Sequence, residues 1–148
     1  MFLLLALVMA LPLAAAEGEL ARFQSLTVES ARTSIYVGSV KLDIPRLTRQ
    51  GTVFVSTYSA RVLPFFFMSE KGRIAIDVPD ADLRRLQAGE TVEFSGQAIN
   101  ESGEPRRIEG RATALDPGHG DIKVRVFVTQ SIELIFNTTY TLADAGGE

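Results

Sequence analysis

Reactive side chains are sparse in this chain, and the first to weigh is His119, the only histidine, set in DPGHGD. A histidine can serve as general base or complete a hydrolytic triad, but it needs a nucleophile and an orienting acid packed beside it. Pro117, Gly118 and Gly120 mark a hairpin tip instead, so the flanks favour a polar turn residue. One histidine and no cysteine cannot build a zinc site, and disulfides and thiolate chemistry fall with it. Asp77, Asp80 and Asp82 could face a hard cation such as calcium. Their spacing fits no known cation loop, and acids at a helix start have an ordinary capping and dipole role. No glycine-rich run has the strand–loop–helix context that cradles a phosphate, so no cofactor is expected.

Arg106, Arg107, Arg111, Lys123 and Arg125 could meet an anionic glycan, a lipid headgroup or a nucleic acid. Glu104, Glu109 and Asp121 interleave with them, so cross-strand ion pairing on a solvated face explains them better. The net charge of -3 agrees: no nucleic-acid partner is expected. Asn100-Glu101-Ser102 and Asn137-Thr138-Thr139 fit the N-glycosylation pattern, a match that short motifs reach by chance.

The most informative stretch is apolar. In LPFFFMSEKGRIAIDV the residues Phe65, Phe66, Phe67 and Met68 stand in an unbroken row. A four-residue loop over Ser69–Gly72 sets Met68 opposite Arg73, Phe67 opposite Ile74 and Phe65 opposite Ile76. Phe65 and Phe67 then join the core, while Phe66 and Met68 share a polar face with Arg73, Ala75 and Asp77; a three-residue loop reverses the parity. Pro64, with no amide hydrogen to donate, favours an edge or a strand start. The two displaced side chains have three possible neighbours. These are the chain's own Leu83 and Leu86 or Leu20 and Phe23, a protein partner or second copy, and an apolar ligand at a barrel mouth. Pro64, Phe66, Met68 and Arg73 form the candidate interaction patch.

The elements that must position these residues alternate with period two from Phe23 onward. Val40, Leu42 and Ile44 share one face, as do Ile74, Ile76 and Val78, then Val92, Phe94, Gly96 and Ala98. Ile122, Val124, Val126 and Val128 repeat the pattern, followed by Ile132, Leu134, Phe136, Thr138, Tyr140 and Leu142. Turn chemistry separates the runs at Gln50-Gly51, Glu70-Lys71-Gly72, Asn100–Pro105 and Asp116–Gly120. PDADLRRLQAGE departs from this: early acids, Leu83 and Leu86 on one side, and Gly89 as a stop predict a short helix near 80–88. About 7–9 strands with one short helix and no βαβ alternation predict an all-β domain, an antiparallel β-sandwich or small β-barrel.

Within this pattern, VPDADLRRLQAGETVEFSGQA and IEGRATALDP resemble a stretch in the β-barrel domain of periplasmic adaptor (membrane fusion) proteins. Asp82, Leu83, Leu86, Gly89, Val92, Gly110, Arg111, Ala112 and Pro117 carry the resemblance. It covers about a quarter of the chain and implies barrel-like geometry, with an adaptor-like module of an envelope complex as one functional alternative. The long coiled-coil hairpin of those adaptors has no counterpart in this sequence.

The apolar run from Met1 to Leu13, then Ala14-Ala15-Ala16 and Glu17-Gly18-Glu19, reads as a cleavable signal peptide over 1–16, leaving a single β-domain over 17–148. No cysteine follows that could take a lipid anchor, so membrane contact would come only through an uncleaved signal. The expectation is a non-enzymatic exported domain, periplasmic or extracellular, that works by binding or assembly, with self-association or a protein partner at the Phe66/Met68 face. The alternative is a small periplasmic barrel that binds an apolar or lipid-like ligand.

Overall fold

A computed structural model describes residues 24–129 and 131–143. The signal-peptide reading, with Leu20 and Phe23, lies outside them. Ten strands run in order: β1 (Ser25–Val28), β2 (Ala31–Ile35), β3 (Gly38–Asp43), β4 (Leu47–Gln50), β5 (Val53–Leu63), β6 (Glu70–Asp77), β7 (Thr91–Asn100), β8 (Pro105–Asp116), β9 (His119–Phe127) and β10 (Glu133–Ala143). One helix, α1 (Asp80–Gln87), joins β6 to β7.

Eight of these strands close into an antiparallel barrel. Neighbours follow the order β1-β10-β9-β8-β7-β6-β5-β4, and β4 returns to β1 through Ser25↔Thr48 and Leu26↔Leu47. The expected choice between sandwich and barrel thus resolves as a barrel, because β1 pairs with β10 from Ser25↔Ala143 to Val28↔Tyr140. The two extra strands form a hairpin on its wall: β3 takes the outer half of β5 (Ser39↔Leu63 to Asp43↔Ser59), and β4 takes the inner half. Pro45, which cannot donate to a ladder, separates β3 from β4, and Ser56 Oγ donates to its carbonyl at 2.9 Å.

Alternation fixes which side chains turn inward. Val40, Leu42, Phe54, Tyr58, Ile74, Ile76, Val92, Ile108, Val124, Phe136 and Tyr140 are all buried. Glycines let neighbouring rings and backbone close on the wall. A Cβ at Gly110 would lie 2.2 Å from Phe94 Cζ and 2.5 Å from the Lys123 carbonyl oxygen, so only glycine fits beneath that ring.

The barrel has two unlike ends. Both chain ends of the described region, the β4–β5 and β8–β9 turns and α1 lie at one end, here the floor. The β2–β3, β5–β6, β7–β8 and β9–β10 connections lie at the other, the mouth. The predicted helix is present and plugs the floor. Pro79 precedes it, Asp80 and Asp82 sit in its first turn, and Gly89 ends it at φ +86° with amide bonds from Gly89 to Leu86 and Glu90 to Arg85. Asp80 also pairs with Arg49 of β4, tying the plug to the wall. Leu83 and Leu86 turn into the barrel against Phe54, Val92 and Tyr140, where the residual space is only about 30 Å³.

Leu83 is fully buried. Leu83→Ala is therefore expected to cost about 2–5 kcal/mol, by lost burial and the cavity left at the floor. Urea denaturation followed by circular dichroism measures it, and a cost below about 1 kcal/mol would show that the helix is not a structural plug.

Candidate functional site

The aromatic row does not form the hairpin strand its sequence suggested. β5 ends at Leu63, and β6 begins at Glu70 with Ala60↔Glu70, Tyr58↔Gly72 and Phe54↔Ile76 in register. Glu70-Lys71-Gly72 is accordingly strand, not turn, and Phe65–Met68 are not opposite Ile76–Arg73. Local hydrogen bonding explains the difference. Pro64 cannot extend the ladder, so the chain folds into a 3-10 turn over Phe66–Met68, with Met68 N donating to Phe65 O at 2.9 Å and Ser69 N to Phe66 O at 3.1 Å. Ser69 Oγ accepts from the Val62 amide at 2.9 Å and pins the loop back to β5.

Only Phe65 packs against the core. Phe67, expected inside, is 74% exposed, like Phe66, and Met68 is 61% exposed. Leu83 and Leu86 do not cover them, since α1 closes the opposite end. The patch itself divides. Pro64, Phe66 and Met68 stand at the mouth, whereas Arg73 lies on the outer wall, three residues along β6, between Thr57 and Ile99. Three residues of strand is roughly 10 Å. Tyr36 and Val37 of the β2–β3 turn and Ile132 of the β9–β10 turn are also exposed at the mouth.

Below this rim the barrel is hollow. A cavity of about 610 Å³ occupies the half nearest the mouth. Val40, Ala60, Val62, Ala98, Val124 and Val126 line its walls, Phe65 and Met68 its entrance, and Phe136 and Ile108 its inner end. Small and β-branched side chains at these inward positions cannot meet across the interior, which is why the space stays open.

One polar cluster interrupts the apolar lining, built from inward positions on four consecutive strands. Glu70 of β6 accepts four hydrogen bonds. Tyr58 Oη donates to Oε1 at 3.1 Å, Arg106 Nε to Oε1 at 3.2 Å, Asn100 Nδ2 to Oε2 at 3.1 Å and Arg106 Nη2 to Oε2 at 3.1 Å. Arg106 also donates to the Val128 carbonyl at 3.2 Å and to Glu104 at 2.9 Å. Burial pushes the Glu70 carboxyl upward, but hydrogen bonds from Arg106, Asn100 and Tyr58, with the guanidinium charge, hold it below its ordinary value. Burial first, then the Glu70 charge and hydrogen bond, push the Tyr58 phenol well up, so it stays a protonated donor. The hydrogen bond to Glu70 holds the Arg106 guanidinium up against the opposing effect of burial.

The remaining candidates sit elsewhere. His119 opens β9 at the floor, beside the β8–β9 turn, with Nδ1 3.7 Å from an exposed Asp116. Asp82 pairs with Arg85 at 3.8 Å, and among the described residues no group of three or more acids and histidines gathers as a metal site. Arg111 pairs with Glu93 at 3.0 Å and Arg125 with Glu109 at 3.8 Å on the outer wall, and Arg107 stacks over Phe127 at 4.2 Å. The ion pairing expected of that cluster is present, with one correction. Arg106 turns inward, as its parity with Ile108 and Ala112 required. Asn100, read as a turn asparagine, is half-buried, and its Oδ1 accepts from the Ser102 and Glu104 amides.

Comparison with protein-family models, curated proteins and solved structures found no match for this chain. Its class is therefore defined by geometry: an antiparallel eight-stranded barrel, plugged at one end and hollow at the other.

Arg106→Ala leaves Glu70 without its cation. Stability is expected to fall by about 2–3 kcal/mol, somewhat less than for a fully buried pair because Glu70 keeps some solvent contact. Because the folded carboxyl titrates below its ordinary value of 4.5, its contribution is complete above that value and is lost as pH falls through the folded pKa. Glu70→Gln should therefore flatten the acid limb of a stability profile. An unchanged acid limb would contradict the assignment.

Proposed function

We propose that this protein binds a small apolar molecule in the mouth half of the barrel, without catalysing a reaction on it. The observation that carries the reading is the coincidence of a cavity of about 610 Å³ with an almost wholly apolar lining and an open, aromatic-rimmed entrance. That volume falls within the roughly 300–1,000 Å³ of small-molecule pockets, and eight strands enclose about enough room for one ligand. The floor supplies stability through tight packing, so the mouth half can remain unfilled. What supports export is the apolar run at Met1–Leu13 with the small residues after it.

A second reading rests on the exposed rim. Phe66, Phe67 and Met68 present apolar area to solvent that a protein partner or a second copy would cover, as the Phe66/Met68 patch expects. It requires concentration-dependent association that weakens in Phe66→Ser/Met68→Ser, and sedimentation as a monomer at all concentrations removes it.

The neutral dye N-phenyl-1-naphthylamine tests the first reading, since its emission rises in an apolar site. The wild-type chain should enhance it saturably. Ala60 faces the cavity beside Glu70, and Ala60→Trp, filling that space, should weaken dye binding about tenfold or more while the far-ultraviolet circular dichroism stays unchanged. No saturable enhancement, or equal binding by folded Ala60→Trp, would overturn the cavity as a binding site.

A further inference from the structure

The polar cluster restricts what can enter the cavity, an inference that rests on the apolar-ligand reading and narrows it. Glu70 and Arg106 are the charged side chains among the cavity's lining, and they are already committed to each other. Glu70 accepts four hydrogen bonds, about the capacity of a carboxylate. Arg106 has five N–H groups, and four of them go to Glu70, Glu104 and the Val128 carbonyl. A ligand carboxylate or phosphate would therefore bring a second negative charge beside Glu70, with no unpaired cation among the described lining residues to receive it. Leaving water for such a site is strongly unfavourable for an ion.

A neutral polar group meets no such obstacle. The Tyr58 hydroxyl spends its proton on Glu70 and keeps its lone pairs as acceptors, and Arg106 Nη1 retains one N–H. We propose that the cavity selects an uncharged amphiphile, a long apolar chain ending in a hydroxyl or carbonyl group. Its polar end lies by Tyr58 and Arg106, and its chain reaches toward Ile108 and Phe136. The cluster also acts as a filter, because the Glu70 charge excludes the ionised acid of the same chain length. Removing that charge leaves Arg106 paired only with the exposed Glu104, so Glu70→Gln should narrow the preference.

The experiment is displacement of N-phenyl-1-naphthylamine from the full chain by dodecanol and by dodecanoate, at about pH 8, where a carboxylic acid is ionised. Dodecanol is expected to displace the dye at a concentration about tenfold or more below dodecanoate in the wild type. In Glu70→Gln, with folding checked by circular dichroism, that gap should narrow to about threefold or less, and an unchanged gap would overturn the filter. Dodecanoate equal to or better than dodecanol in the wild type would overturn the inference, and so would dye that neither chain displaces. Both outcomes leave the cavity standing as a binding site. Absence of dye binding altogether is the separate failure of the apolar-ligand reading. If Glu70→Gln does not fold, the wild-type comparison alone decides.

Discussion

Closure of the sheet is the constraint on which everything else depends. Once β1 pairs with β10, the eight strands enclose a fixed interior, and each inward side chain must share in filling it or leave it open. At the floor, Phe54, Phe94 and Tyr140 with Leu83 and Leu86 from α1 nearly exhaust the space. Toward the mouth, the same inward rows carry Val40, Ala60, Val62, Ala98 and Val126, and these stop short of one another. Ladder pairing through β1 and β4 closes the wall at the floor, whereas toward the mouth the described residues pair β10 over Glu133–Thr139 only with β9 and β2 only with β3. Stability and vacancy are thus assigned to opposite ends of one barrel.

The polar cluster shows how an ionic group can be kept in such a lining. Burial alone would push an isolated carboxylate at Glu70 toward its neutral form. Arg106, Asn100 and Tyr58 keep it charged, and each arrives from a different strand. Gly72 faces inward between Tyr58 and Asn100 in the register, so no side chain at that position comes between them and Glu70. The cost of desolvating the pair is offset by its geometry, and Arg106, shared between Glu70 and Glu104, is left with no charge to spare for the cavity.

Much of this architecture was legible in the sequence. Alternation identified the buried faces of β3, β6, β7, β9 and β10, and the acids, paired leucines and Gly89 located the helix within a residue of its end. The register of Phe65–Met68 was not legible. Parity tells which residues share a face but not which residue of the next strand they oppose, and Pro64 moved the whole row into a turn. The polar cluster was half legible: Arg106 has the parity of Ile108, and Glu70 that of Ile74 and Ile76. Their contact was hidden because β6 and β8 meet only across β7, a relation the closed sheet creates. Sandwich or barrel was equally a long-range matter, decided by a pairing of residues 118 apart.

On this reading, the mouth half of the barrel is an occupiable apolar site and the floor half is filled by its own side chains. A crystal structure of the protein soaked with a terminally brominated long-chain alcohol tests it most directly, because anomalous scattering locates the bromine without reference to the chain. A bromine peak is expected inside the barrel, at the inner end of the cavity near Ile108, Val124 and Phe136, with the hydroxyl toward Tyr58. An interior free of bromine, with the label only on the outer wall or the rim, would contradict it.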